Sequence, residues 1–69
     1  MTSPALDFAT LPLGDQVRVH RVARHWRQAD LADVAGVSQA QVSDLERGEY
    51  VPLSIRRKVL RVLGLEAQL

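Results

Sequence analysis

The sequence predicts a small all-α domain of four to five short helices. Its 69 residues suffice for one domain only. No stretch of useful length alternates apolar and polar residues as a β-strand does. Gly36, Gly48 and Gly64 each follow a helix-forming stretch, where glycine commonly ends a helix. With 46 % hydrophobic and 25 % charged residues, the chain has the composition of a globular protein rather than a disordered one.

Composition excludes several classes of protein. The chain contains no cysteine, and therefore neither a disulfide framework nor a thiolate zinc site. No apolar run approaches the ~18 residues that a membrane-spanning helix needs. The N-terminus lacks the basic start and apolar block of a secretion signal. We therefore expect a cytoplasmic protein without membrane contact.

The first predicted helix spans residues 14–26, which no helix breaker interrupts. Leu13 and Val17 fall on one face. The opposite face carries a second apolar stripe, Val19, Val22, Ala23 and Trp26. A helix with two apolar faces usually covers something on both sides. The cover is either the apolar arm of residues 1–12, which contains Leu6, Phe8 and Leu11, or a second chain. We favour packing within one chain for Phe8 and Trp26.

Two short helices follow, and each has a boundary signal. The second helix spans Gln28–Ala35 and ends at Gly36, and its residues available for packing are Leu31, Ala32, Val34 and Ala35. The third begins after Ser38, because Ser38 with Gln41 three residues later forms a capping-box pattern, in which each side chain satisfies a backbone N–H of the first turn. We expect this helix to run to about Arg47.

The last predicted helix carries the most basic stretch of the chain. It begins at Leu53 or Ser54 and ends at Gly64. Its inward residues are Ile55, Val59, Leu60 and Leu63. Residues 50–61 have a net charge of +4 and residues 15–27 one of +3, whereas residues 28–49 between them have −4. Clustered arginines suggest a polyanionic partner, and solvated helix faces are the alternative.

Groups suited to catalysis form no recognisable constellation. His20 and His25 lie five residues apart on different faces of one helix, so they cannot share a metal as an i, i+4 pair does. Asp30 and Asp33 can line one helix face, but such a pair is far more often solvated than an acid–base couple. We expect no enzyme, no cofactor and no metal site.

Residues 28–48 have the layout of two packed helices joined by a tight turn. Gly36 lies in the turn, and Ala32 is small where the helices must approach closely. The residues expected to bury the inner faces are Leu31, Val37, Val42 and Leu45. The side chains left outward on the second of these helices are Gln39, Gln41, Ser43 and Asp44. Such short polar side chains can enter a major groove and offer donors and acceptors to base edges.

A spaced set of residues extends this layout over most of the chain. The set consists of Leu13-Gly14, Arg21, His25-Trp26-Arg27-Gln28, Leu31-Ala32, Gly36-Val37-Ser38, Val42, Glu46, Gly48, Pro52 and Leu63-Gly64. With this spacing, residues 13–65 resemble the Cro and phage-repressor type of helix-turn-helix, the XRE-like family. The resemblance implies a compact lambda-repressor-like bundle in residues 13–69 after an arm of residues 1–12. It also implies a transcriptional regulator, of repressor, controller or antitoxin type, that binds double-stranded DNA at an operator.

The resemblance assigns roles to individual residues. Those implied in DNA binding are Gln28, Ser38, Gln39, Ala40, Gln41, Ser43, Asp44 and Arg47. Tyr50 lies in the loop where the family grips the DNA backbone, and the cations Arg27, Arg56 and Arg57 are expected from their charge to make weaker phosphate contacts. Glutamine can bond adenine bidentately, an alanine methyl can meet a thymine methyl, and aspartate can accept from cytosine N4. Arg21 and Glu46 match a family ion pair that ties the first helix to the recognition helix.

The chain departs from the family pattern at several positions. His25-Trp26-Arg27 replaces a Gly-Leu-Thr turn, and Arg27 is a poor N-cap. His20 stands where the family usually has an aliphatic core residue, and we interpret it as a half-buried, hydrogen-bonded histidine. The recognition helix carries Asp44 and Glu46 with only one cation, so we expect modest non-specific affinity.

We expect the protein to bind DNA as a homodimer on the nucleoid. One recognition helix reads only about four or five base pairs, whereas a two-fold dimer reads two half-sites about one helical turn apart. The alternative hypothesis is a helix-turn-helix scaffold that acts as a protein-interaction module, suggested by the acidic middle and the spare apolar stripe. The residues expected to contact a protein partner are Leu6, Phe8, Val19, Val22 and Trp26.

Overall fold

Four α-helices build the domain in a computed structural model, which describes residues 8–68. The helices are α1 at Leu13–Ala23, α2 at Gln28–Ala35, α3 at Gln39–Glu46 and α4 at Leu53–Leu63. Short 3-10 turns at Phe8–Thr10 and Glu66–Gln68 precede and follow them. The described residues contain no strand. The predicted all-α class is therefore confirmed.

Most helix boundaries form as the boundary signals predict. Gly36 and Gly64 end α2 and α4 in the left-handed conformation, with φ of 73° and 72°. At the start of α3, the Gln41 backbone N–H donates to Ser38 Oγ at 3.1 Å, and the Ser38 backbone N–H donates to Gln41 Oε1 at 3.0 Å. The predicted capping box is thus present. Helix α3 ends at Glu46, and Arg47 is its C-cap.

The predicted end of the first helix is wrong. Helix α1 ends at Ala23 rather than Trp26, and Arg24 is its C-cap. His25 follows with a φ of +58°, a left-handed conformation that breaks the helical path. Its backbone N–H donates to the Val22 carbonyl at 2.9 Å. The turn needs a left-handed residue at the position where the family pattern has glycine, and that requirement ends α1 three residues early.

The core lies where the inner faces of the four helices meet. Its buried residues are Val17, Leu31, Ala32, Val42, Leu45, Val51, Val59, Leu60, Leu63 and Leu65. Most residues predicted to face inward on α2, α3 and α4 lie in this core or, like Val37 and Ile55, pack against its edge. Val34 of α2 is the exception, because it is 56 % exposed. Val51 and Leu65 complete the core from outside the helices, and helical periodicity gave no signal for them.

The second apolar stripe of the first helix is divided in the fold. Phe8 and Trp26 pack against the core of the same chain, as we favoured. The Phe8 ring meets the ring of half-buried His20 edge-on, with centroids 5.1 Å apart. In contrast, Val19 is 47 % exposed and Val22 is 55 % exposed. The described residues therefore leave part of the stripe uncovered, and Leu6 of the arm lies outside the described residues.

Helix α1 begins in close contact with the end of α3. A Cβ atom on Gly14 would lie 2.5 Å from the Glu46 carbonyl oxygen and 2.6 Å from that of Leu45. Real Cβ atoms do not approach backbone so closely, so only glycine fits here. This contact fixes the C-terminal end of α3 relative to α1.

Candidate nucleic-acid interface

Helices α2 and α3 form a compact pair with a three-residue turn between them. The turn is Gly36-Val37-Ser38. The Val37 backbone N–H donates to the Ala32 carbonyl at 3.0 Å, which closes the end of α2. Ala32 is buried against the neighbouring helices, so a small side chain stands at the close approach, as predicted. This is the arrangement of a helix-turn-helix, with α3 as its second helix.

The N-terminal turn of α3 presents polar and small side chains outward. Ser38, Gln39 and Ala40 are exposed, and Ser43 and Asp44 are half-exposed. The opposite face of α3 is buried through Val42, Leu45 and Glu46. The exposed face therefore has the size and chemistry that a major groove accepts.

Gln41 differs from the other predicted contact residues. Its side-chain oxygen accepts the Ser38 backbone N–H, and the residue is only partly exposed. Because this oxygen belongs to the capping box, a bidentate contact from Gln41 to adenine would break the cap. The structure gives Gln41 the role of holding the start of α3.

Glu46 is the centre of a buried polar network behind the exposed face. Its side chain is 1 % exposed, and Arg21 Nε donates to its Oε2 at 2.6 Å while Arg21 Nη2 donates to Oε1 at 3.1 Å. Gln28 Nε2 donates to the same Oε1 at 3.2 Å, and Arg18 Nε lies 3.6 Å from it. A buried carboxylate is tolerated only when it is paired and hydrogen-bonded. The network thus ties α3 to α1 and α2.

Sequence reasoning missed several polar contacts that support this network. Arg21 Nη1 donates to the Trp26 carbonyl at 2.8 Å, so one guanidinium holds both α3 and the turn before α2. Gln16 is 3 % exposed, and its Nε2 donates to the Leu11 carbonyl at 2.8 Å, which attaches the end of the arm to α1. Arg18 lies one turn before Arg21, and that spacing was the available signal for its approach to Glu46.

The arginine before α2 is bound to an aspartate of the same helix. Arg27 Nε and Nη2 donate to the two carboxylate oxygens of Asp30, each at 3.1 Å, and the Arg27 backbone N–H donates to Asp30 Oδ2 at 2.8 Å. The side-chain hydrogen bond between them raises the pKa of Arg27 and lowers the pKa of Asp30. Arg27 supplies no acceptor for a cap, and the Asp30 carboxylate satisfies one N–H at the start of α2, that of Arg27 itself.

The cation of the recognition helix is also paired. Arg47 Nη2 donates to Asp44 Oδ1, three residues earlier. Both side chains are accessible, so the pair lies on the surface that the resemblance assigns to DNA. An exposed pair of this kind contributes little to stability.

The remaining predicted phosphate contacts lie around the loop between α3 and α4. Tyr50 is 81 % exposed. Arg57 is exposed and has no ion pair among the described residues. Arg56 is half-buried and lines a shallow cavity of about 270 Å³ together with Gly14, Leu45 and Glu49. Its buried Nε has no hydrogen-bond partner in the described part of the chain.

The described residues offer neither a metal cluster nor a membrane helix. No group of three or more His, Cys, Asp or Glu side chains in residues 8–68 is placed to hold a metal ion. The His20 ring lies against Phe8, and the His20 backbone carbonyl accepts a hydrogen bond from Arg24 Nη1 at 2.9 Å. No helix in the same range is long and apolar enough to cross a bilayer.

The fold and the exposed face of α3 define a helix-turn-helix domain. Residues 12–69 match the family described as helix-turn-helix domain, and the chain belongs to that family. The expectation of a Cro-like, XRE-like helix-turn-helix is thereby confirmed. Membership indicates a DNA-binding regulator, and domains of this family are typically not enzymes. No curated protein and no solved structure matched the chain.

Proposed function

We propose that the protein is a sequence-specific transcriptional repressor, of the Cro-like, controller or antitoxin type, that reads an operator with α3 in the major groove. It acts on nucleoid DNA in the cytoplasm as a homodimer, with residues 13–69 as the DNA-binding domain and residues 1–12 as an arm. The observation that carries the proposal is the exposed first turn of α3. Gln39 and Ala40 lie on its outer face, while the inner face of the helix is buried in the domain.

The contacts that hold α3 in place favour sequence-specific DNA recognition over non-specific DNA binding. Base readout requires side chains held at a fixed angle and depth. The Ser38–Gln41 capping box fixes the start of α3, and the Glu46 network fixes its end. Asp44 and Ser43 extend the exposed face beyond the first turn. Gln28, which braces Glu46 at the start of α2, is the proposed phosphate contact beside this face.

Selection from a random duplex pool tests the proposal most directly. We expect a consensus made of two symmetric half-sites about one helical turn apart, because a two-fold dimer presents two copies of α3. A consensus with a single half-site would contradict the homodimer but would remain consistent with base readout by α3. A pool with no enriched sequence would contradict the proposed function.

Gln39→Ala tests the contact at base level. We expect a loss of about 1–3 kcal/mol in binding free energy at one base position, with relaxed preference there, because a bidentate glutamine–adenine contact is removed. Competition binding with operators that differ at single positions measures it. The matched control is Gln68→Ala, a substitution outside the four helices. Uniform weakening on every sequence would contradict a base-reading role for Gln39.

A second candidate function is a protein-interaction module built on the same scaffold. The observation in its favour is the exposed pair Val19 and Val22 on the outer face of α1. This function predicts no retention of random duplex at micromolar protein and low salt. It also predicts a partner protein that Val22→Ser releases, while Trp26 stays packed against the core.

A further inference from the structure

The Asp30 carboxylate binds the donor groups of Arg27 at the start of α2. It accepts three hydrogen bonds from Arg27, two from the guanidinium at 3.1 Å and one from the backbone N–H at 2.8 Å. The Arg27 side chain is 83 % exposed, so it is within reach of a ligand. The first backbone N–H groups of an α-helix have no partner inside the helix and attract anions. Asp30 already uses one of these donors, the Arg27 N–H, together with two N–H groups of the Arg27 guanidinium that a phosphate would also need.

We infer that Asp30 is an internal competitor for the phosphate beside Arg27, and that it lowers the affinity of the protein for DNA of any sequence. This inference rests on the proposed function and adds a residue that sets specificity. Carboxylate and phosphate both accept the paired N–H groups of a guanidinium. Arg27 must therefore give up one anion to bind the other, and little net attraction is gained.

The same exchange reduces counterion release. A cation that meets a phosphate releases bound salt ions, which gives non-specific binding its salt dependence. Arg27 is already neutralised by Asp30, and the Asp30 charge, once released, lies close to the phosphate and repels it. Because the non-specific electrostatic contribution to DNA affinity is then small, discrimination between sequences depends more on Gln39 and Ala40.

Asp30→Asn separates this role from simple net charge. Asparagine keeps an oxygen that can accept the Arg27 backbone N–H, but its side chain carries no negative charge to neutralise the guanidinium. The matched control is Asp33→Asn on the same helix, because Asp33 is exposed and has no ion pair in residues 8–68.

The expected effect is measured on a random-sequence duplex near 0.1 M salt. We expect Asp30→Asn to bind about five- to tenfold tighter than the wild type. We also expect its slope of log binding constant against log salt to be steeper by about 0.9, as one added phosphate contact gives. Asp33→Asn gains less than about twofold.

A second substitution shows whether Arg27 is responsible for the gain. We expect Arg27→Gln, introduced together with Asp30→Asn, to remove the added affinity and the added salt slope. Equal gains from Asp30→Asn and Asp33→Asn would overturn the inference, and so would a gain that survives Arg27→Gln. Circular dichroism and thermal unfolding verify that each variant is folded, and Asp30→Ser supplies a second neutral side chain.

Failure of this inference differs from failure of the proposed function. If the wild type selects an operator but Asp30→Asn behaves as Asp33→Asn does, the inference alone fails. If the wild type enriches no sequence from the random pool, the proposed function fails and the inference fails with it.

Discussion

Two parts of the chain use their cations differently. In the region from α1 to α3, arginines are paired with nearby carboxylates: Arg21 with Glu46, Arg27 with Asp30 and Arg47 with Asp44. On α4, Arg57 and Lys58 are exposed and have no ion pair among the described residues, and Arg61 lies 3.7 Å from Glu66. Most arginines of the first region are thus bound to its own carboxylates, with Arg24 bonded to the His20 carbonyl instead. Two cations of the second region remain open to solvent or a partner.

This difference shows that the net charge of a segment does not measure the charge available to a ligand. Residues 15–27 carry +3 and residues 28–49 carry −4, and the fold brings these opposite charges together. The pairing is strongest where it is buried, at Glu46, and weakest at the surface pairs. The following predictions test the contrast, from the largest expected effect to the smallest.

Glu46→Ala removes the buried end of the first region's network. We expect the free energy of unfolding to fall by about 3 kcal/mol, because Arg21 is left partly buried without its partner. Urea denaturation measures the change. The matched control is Glu49→Ala, since Glu49 is exposed and should cost less than about 0.5 kcal/mol. A similar small loss in both variants would show that the network contributes no stability.

Gly14→Ala tests the contact that joins α1 to the end of α3. The new Cβ would lie 2.5 Å from the Glu46 carbonyl oxygen, and we expect a loss of about 2 kcal/mol because two backbones must separate. Thermal unfolding measures it. Gly64→Ala is the comparison: open space surrounds Gly64, but its φ is +72°, so only about 1 kcal/mol of backbone strain is expected. The contact would be refuted if Gly14→Ala proved the milder change.

Arg57→Gln removes a cation that has no ion pair in residues 8–68, for comparison with the paired Arg47. If Arg57 meets a phosphate, its loss lowers the slope of log binding constant against log salt by about 0.9. Arg47→Gln should lower the slope by less, because Asp44 already neutralises Arg47. Binding titrations from low to moderate salt measure both slopes. A larger change for Arg47→Gln would reverse the contrast between the two regions.

His25→Gly tests the strained turn between α1 and α2. His25 has a φ of +58°, which costs a side chain about 1–2 kcal/mol, while glycine loses about 0.5–1 kcal/mol more entropy on folding. We therefore expect a net gain in stability of about 0.5 kcal/mol, visible as a higher unfolding temperature. His25→Ala is the matched control and should give no gain, because alanine has the same Cβ strain.

Local signals predicted most of the fold. Helix α2, the Ser38–Gln41 cap and the glycine stops at positions 36 and 64 depend on residues a few positions apart. The end of α1 was not predictable in this way, because His25 is an ordinary helix residue until the turn to α2 forces it into a left-handed conformation. The sequence predicted Gln41 both as a cap and as a base contact, and only the structure showed that its amide oxygen is used in the cap.

The sequence by itself determined the all-α class, the helix-turn-helix spacing and the polar surface of α3, because helix period and capping act within a few residues. Local pairs such as Arg27 with Asp30 were within its reach, since three residues bring them onto one helix face. The pair of Arg21 with Glu46, 25 residues apart, was predicted through the family resemblance alone and not through any local signal. Only the tertiary structure decided that Arg57 and Lys58 on α4 have no ion pair among the described residues. Such long-range pairing depends on how whole helices pack, and packing is settled by the shape of the core rather than by neighbouring residues.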